Sequence, residues 1–169
     1  SLIETGYLSS YTKRRPLFGG LLAFILWITA GHLQVTLAIL TYLLALATFF
    51  SVLEMRRFLN PIAAVVYFSV LILFMRRYIG ITMSENLGAL LGVSAFSLFL
   101  VFIQTDENDR KVRFAYFLAS VFTFSLSQFA RPGAFATLPL LILFAGWYFR
   151  GKGKWSWKWM ALTAAIVLA

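Results

Sequence analysis

The residues of this chain best suited to chemistry are cations. Six of them fall in three short polar stretches that interrupt long apolar runs: Lys13, Arg14 and Arg15 in TKRRPLF, Arg76 and Arg77 in MRRYIGITMSEN, and Arg131 in SQFARPGAF. One carboxylate, Glu85, stands with them, between Ser84 and Asn86 at the start of an apolar run. Guanidinium groups grip phosphate oxygens in pairs, so the set fits an anionic phosphate. A single carboxylate can orient or deprotonate an acceptor, but it supplies too few oxygen ligands for a divalent metal site of its own. Each residue also has a plainer reading. Arg76 and Arg77 suit snorkelling anchors, and Lys13–Arg15 suits a solvated run. Ser84 suits a helix N-cap with Glu85 favourable in the first turn, and Arg131 suits a headgroup anchor. His32 and Gln34 in GHLQ read as ordinary interfacial residues. Glu54 beside Arg56 and Arg57, and DENDRK at 106–111, read as solvated charges.

The elements that must position these residues are apolar. Of 169 residues, 61% are hydrophobic and only 12% charged, and the mean hydropathy is +0.84. Soluble domains run near one half apolar and one quarter charged, so the composition predicts an all-α polytopic membrane protein. The absence of Cys excludes disulfides, thiolate nucleophiles and Cys-ligated metals, and a single His, His32, argues against a His-based metal site. No cofactor is evident, and use of a divalent metal stays open, with no support from these residues. The net charge of +9 sits on residues that punctuate apolar runs. That points to lipid headgroups and anionic lipid substrates rather than nucleic acid.

Crossing a bilayer takes roughly 17–25 apolar residues. Residues 33–53 qualify clearly, and 59–75, 86–103, 114–130 and 134–149 qualify near the short limit. A further span begins around 159. The expectation is therefore about five complete transmembrane helices and the start of another. The stretch 16–30 is shorter, carries Gly19-Gly20 and opens on Pro16, which suits a helix start. It is expected to be a juxtamembrane helix. Residues 114–149 as one helix would reach about 54 Å, so the chain must turn inside them, and Pro132-Gly133 is the natural turn. Arg131 then lies at an interface, where it costs less than the ~2.5–3.5 kcal/mol of the bilayer centre.

The spans alternate the loops. The N-terminal segment, the Arg76–Glu85 loop and the Arg131 turn fall on one side. Glu54–Asn60, Gln104–Arg113 and Arg150–Lys158 fall on the other, which carries nine of the 15 Lys and Arg residues. The positive-inside rule makes that side cytoplasmic. KGKWSWKW, at 152–159, fits an interfacial aromatic belt there. The chain reads as a single transmembrane domain, 1–169, with 1–32 as outer loop and juxtamembrane helix and 33–169 as transmembrane helices. Both ends look cut, so a fragment of a longer protein is expected.

The order of four stretches resembles the multi-spanning GT-C glycosyltransferases, the class that includes protein mannosyltransferases and the aminoarabinose transferase of lipid A. SLIETGYLSSYTKRRPLFGGLLAFIL resembles the end of their first outer loop and its juxtamembrane helix. GHLQVTLAILTYLLALATFFSVLEMRRF resembles their next span. ITMSENLGALLGVSAFSLFLVF resembles their span that opens on an acidic residue, and SQFARPGAFATLPLLILFAGWYF resembles their Arg-Pro stretch. Together these cover nearly the whole chain.

The resemblance implies transfer of a sugar from a polyprenyl-phosphate donor to a glycan, lipid or protein acceptor outside the cytoplasm, in a bacterial inner membrane with the site facing the periplasm. It implies Arg15 as first choice for the lipid phosphate, with Arg14, Lys13, Arg131, Arg76 and Arg77 beside it. Glu85 becomes an accessory catalytic group. The principal Asp of the class is expected upstream of Ser1, since no Asp precedes Asp106. Two other classes stay open: a transporter, flippase or polymerase of lipid-linked glycans, and a non-catalytic subunit or anchor of a larger membrane complex. A transporter should carry charge well inside its spans.

Overall fold

The computed structural model describes residues 16–76, 84–106, 109–130, 137–149 and 156–168. They form seven helices: α1 Pro16–Ile28, α2 Leu33–Phe58, α3 Pro61–Met75, α4 Ser84–Gln104, α5 Arg110–Ala130, α6 Thr137–Tyr148 and α7 Trp157–Leu168. No strand occurs among the described residues.

Local sequence sets the helix ends. α1 stops in a Schellman turn. The Gly31 amide donates to Leu26 O at 2.8 Å and the Ala30 amide to Trp27 O at 3.3 Å, which satisfies carbonyls that the helix end would orphan. Ala30 has φ 51° and Gly31 φ 84°. The Thr29 and Thr36 hydroxyls, 2.9 Å apart, join the two helix ends across this turn. α2 and α3 are separated only by Leu59 and Asn60. Asn60 caps α3, its Oδ1 accepting the Ala63 amide at 2.8 Å, and Pro61 fills the first helical position, where a missing N–H costs nothing.

The helices pack as an alternating bundle. α3 runs antiparallel to α2: the Ser51 and Tyr67 hydroxyls meet at 2.8 Å, and Leu44 and Met75 share one buried cluster with Val93 of α4. α4 is parallel to α2, since Gln104 Nε2 donates to the Glu54 carboxylate and backbone carbonyl, both at 3.4 Å. α5 is antiparallel to α4. Ser120 Oγ donates to Ala95 O and Ser127 Oγ to Gly88 O, each at 2.9 Å. Both spacings are seven residues, two turns of helix, so the bonds recur on one face. Small residues at Gly88 and Gly92 let the backbones approach, as in membrane helix pairs.

A second core lies at the far end of α4 and near end of α5. Phe102 and Phe117 are fully buried and packed by Phe99, Phe144, Tyr148 and Phe149. α6 and α7 dock here, with Phe149 against Phe117 at 5.2 Å and Trp159 against Phe114 at 4.7 Å between ring centroids. This brings the ends of α2, α4 and α6 and the starts of α3, α5 and α7 to one end of the bundle, in line with the expected alternation of loops.

The number of crossings is corrected. Among the described residues, two helices, α2 and α4, are long and apolar enough to cross a membrane, not about five. α3 has 15 residues and α6 and α7 have 12 each, about 22 and 18 Å of helix against a core of ~30 Å. α5 has 21 residues, but Arg110, Lys111 and Arg113 in its first turn and Ser120, Ser125, Ser127 and Gln128 further along dilute its apolar character.

Candidate functional site

α4 begins where α5 ends, and polar side chains collect there. Ser84 is 2% exposed, and Asn86 and Gln128 are each 7%. Ser125 and Ser127 are buried on the same stretch of α5. The antiparallel pairing explains the convergence: the Gly88–Ser127 bond sets the first turn of α4 against the last turn of α5. Burying so many polar groups is costly unless they bond to one another or to the backbone. Ser127 does so across the interface, and Ser125 Oγ donates to Val121 O at 2.9 Å within its own helix.

Glu85 lies in this patch. It occupies the first turn of α4, where the helix dipole favours a carboxylate, and it is half-buried. Ser84 Oγ donates to Glu85 Oε2 at 3.3 Å. Ser84 is thus already the first residue of α4 and turns its hydroxyl to its neighbour. A carboxylate held at the mouth of a buried polar end can bind a hydroxyl-bearing acceptor or accept its proton.

Among the expected phosphate ligands, only Arg76 falls in the described residues. Lys13, Arg14, Arg15, Arg77 and Arg131 lie outside them, as does the Pro132-Gly133 turn. Arg131 directly follows Ala130, the last residue of α5. Arg76 does not join Glu85. Met75 packs with Val93 and Leu44, eight residues further along α4 than Glu85. Ala89 and Leu90 of α4 pack against the same cluster, so the two are offset by roughly 6–12 Å along the bundle. Arg76 is exposed and stands level with the middle of α2 rather than with its end. The sequence places it at the end of a full crossing; the short α3 stops part-way instead.

The environments of two charged residues escaped the sequence reading. Arg113 lies 4.8 Å from the Tyr148 ring centroid and 5.5 Å from that of Phe102, a double cation–π contact in the aromatic core. Its position inside a polar cluster gave no hint of this. Glu54, expected as a solvated charge, has a side chain only 15% exposed, and accepts from Arg57 Nη1 at 2.6 Å as well as from Gln104. Its periodic position facing α4 was the available signal. Among the described residues no group of three or more His, Asp or Glu side chains is placed to hold a metal.

No family model, curated protein or solved structure matches the chain.

Proposed function

We propose that the chain is the membrane-embedded part of a glycosyltransferase of the GT-C class, moving a sugar from a polyprenyl-phosphate donor to an acceptor on the non-cytoplasmic side of a bacterial inner membrane. The observation that carries this reading is the α4–α5 register. It sets Glu85 in a buried polar end against the last turn of α5, immediately before Arg131 in sequence. In this reading Glu85 holds the acceptor hydroxyl. Arg131 and Arg15 neutralise the departing lipid phosphate, the electrostatic part of catalysis. α2 and α4 cross the bilayer, and α1 lies against its surface.

The test is a transfer assay in membranes with the full-length protein and a polyprenyl-phosphate sugar. Glu85→Gln and Arg15→Ala should each lower turnover at least tenfold, while membrane abundance stays unchanged. Turnover at the wild-type rate in both variants would overturn the site.

The position of Arg76 supports a second reading, a carrier or flippase for lipid-linked glycans, because carriers keep charge inside their membrane domain. Flux of a lipid-linked glycan into vesicles, abolished by Arg76→Ala and without glycosyl transfer, would favour it over the enzyme.

A further inference from the structure

The groove between α2 and α3 takes no part in the chemistry above. It encloses about 650 Å³, within the ~300–1,000 Å³ range of small-molecule sites. Leu44, Ala45 and Phe49 of α2 and Ala64, Val65 and Phe68 of α3 form its walls, and among the described residues Arg56 is the one charged residue lining it. Arg56 stands at one end. It has no ion pair or hydrogen bond among the described residues, whereas its neighbour Arg57 is committed to Glu54 at 2.6 Å. The groove runs along α2 from Arg56 to Thr41, about 22 Å of helix. One leaflet's hydrocarbon is about 15 Å deep, half of the ~30 Å core, so a whole lipid tail fits along it. The apolar walls suit a lipid tail, and the cation calls for a negative head.

We propose that this groove binds one anionic phospholipid, its tail along the α2–α3 walls and its phosphate on the Arg56 guanidinium, in the leaflet at the Arg56 end. The site is separate from the polar end of α4 and α5, which lies toward the opposite end of the bundle. The proposal rests on the reading that α2 crosses a bilayer.

The test is native mass spectrometry of the full-length protein released from micelles, offered phosphatidylglycerol or phosphatidylcholine with identical tails. One phosphatidylglycerol per chain should be retained in preference to phosphatidylcholine. Arg56→Ala should weaken retention about tenfold, the scale of a charge-assisted hydrogen bond, and Arg57→Ala should not. Ala45 is exposed, so Ala45→Trp occupies the groove without displacing packed neighbours and should also weaken retention. Equal retention of the two lipids, or an unchanged Arg56→Ala, overturns the proposal. Unchanged retention in Ala45→Trp overturns it as well, leaving only headgroup attraction. Competition by glycerol 3-phosphate as strong as by the lipid would show a free-phosphate site instead. Alkaline carbonate extraction keeps the two readings apart: release of the chain from membranes refutes the crossing itself, whereas a retained chain with no lipid preference refutes only the site.

Discussion

The Ser127 hydroxyl donates to the carbonyl oxygen of Gly88 at 2.9 Å, joining α5 to α4 across 39 residues of chain. Gly92 lies one turn along, and a Cβ there would sit 3.5 Å from Ser127 Oγ, an ordinary contact. Gly92→Ala should therefore be tolerated, or raise stability by up to about 1 kcal/mol through helix propensity. Gly92→Leu should force the helices apart. Ser127→Ala should cost about 0.6 kcal/mol, the usual worth of such bonds in membrane proteins. Unfolding in mixed micelles ranks the three variants, and a Gly92→Leu protein as stable as wild type would contradict the close packing.

Ala30 occupies a left-handed conformation, φ 51°, at the end of α1. An L-residue with a Cβ is strained there by about 1–2 kcal/mol. Ala30→Gly should raise the thermal midpoint, and Ala30→Val should lower it. A fall in both would show that the turn is set by contacts rather than by backbone preference.

Arg113 between Tyr148 and Phe102 should contribute about 0.5–2 kcal/mol. Arg113→Met keeps much of the bulk and removes the charge, so its loss of stability sets an upper limit on the cation–π part. Tyr148→Phe keeps the ring. The Tyr148 hydroxyl is buried with no hydrogen-bond partner among the described residues. Its removal should be neutral or stabilising, because an unsatisfied buried hydroxyl carries a desolvation penalty. The denaturation curve of Arg113→Met should shift to lower denaturant, and that of Tyr148→Phe should stay in place or shift to higher.

Ser51 and Tyr67 form the polar link between α2 and α3. Ser51 is fully buried, so Tyr67→Phe strands its hydroxyl and should cost about 1–3 kcal/mol. Ser51→Ala combined with Tyr67→Phe should recover part of that loss. A double-mutant cycle measures the recovery, and strict additivity would mean that the bond contributes nothing.

The helices themselves were legible. The apolar stretches at 33–53, 86–103 and 114–130 correspond to Leu33–Phe58, Ser84–Gln104 and Arg110–Ala130, and the short stretch 16–30 to Pro16–Ile28. Apolar periodicity and punctuation by Pro, Gly and Asn carry that information locally. How many helices cross was not legible, because a run such as 59–75 reads as apolar whether its helix is long enough or not. Depth was lost for the same reason. That Arg76 stands level with Val93 depends on the pairing of Leu44 with Met75, a contact between distant parts of the chain. Glu85 was legible as a first-turn carboxylate. The buried company it keeps on α5 was not, since Ser125, Ser127 and Gln128 read as ordinary polar interruptions until the register is known.

The two-residue connector between α2 and α3 bears on how the chain is built. With only Leu59 and Asn60 to join them, the two helices are obliged to run back to back, and the Ser51–Tyr67 bond fixes their register. At 15 residues, α3 is shorter than α2, so its trailing Arg76 stops level with the middle of its partner. A tight connector at one end of the hairpin thus sets the depth of a charge at the other.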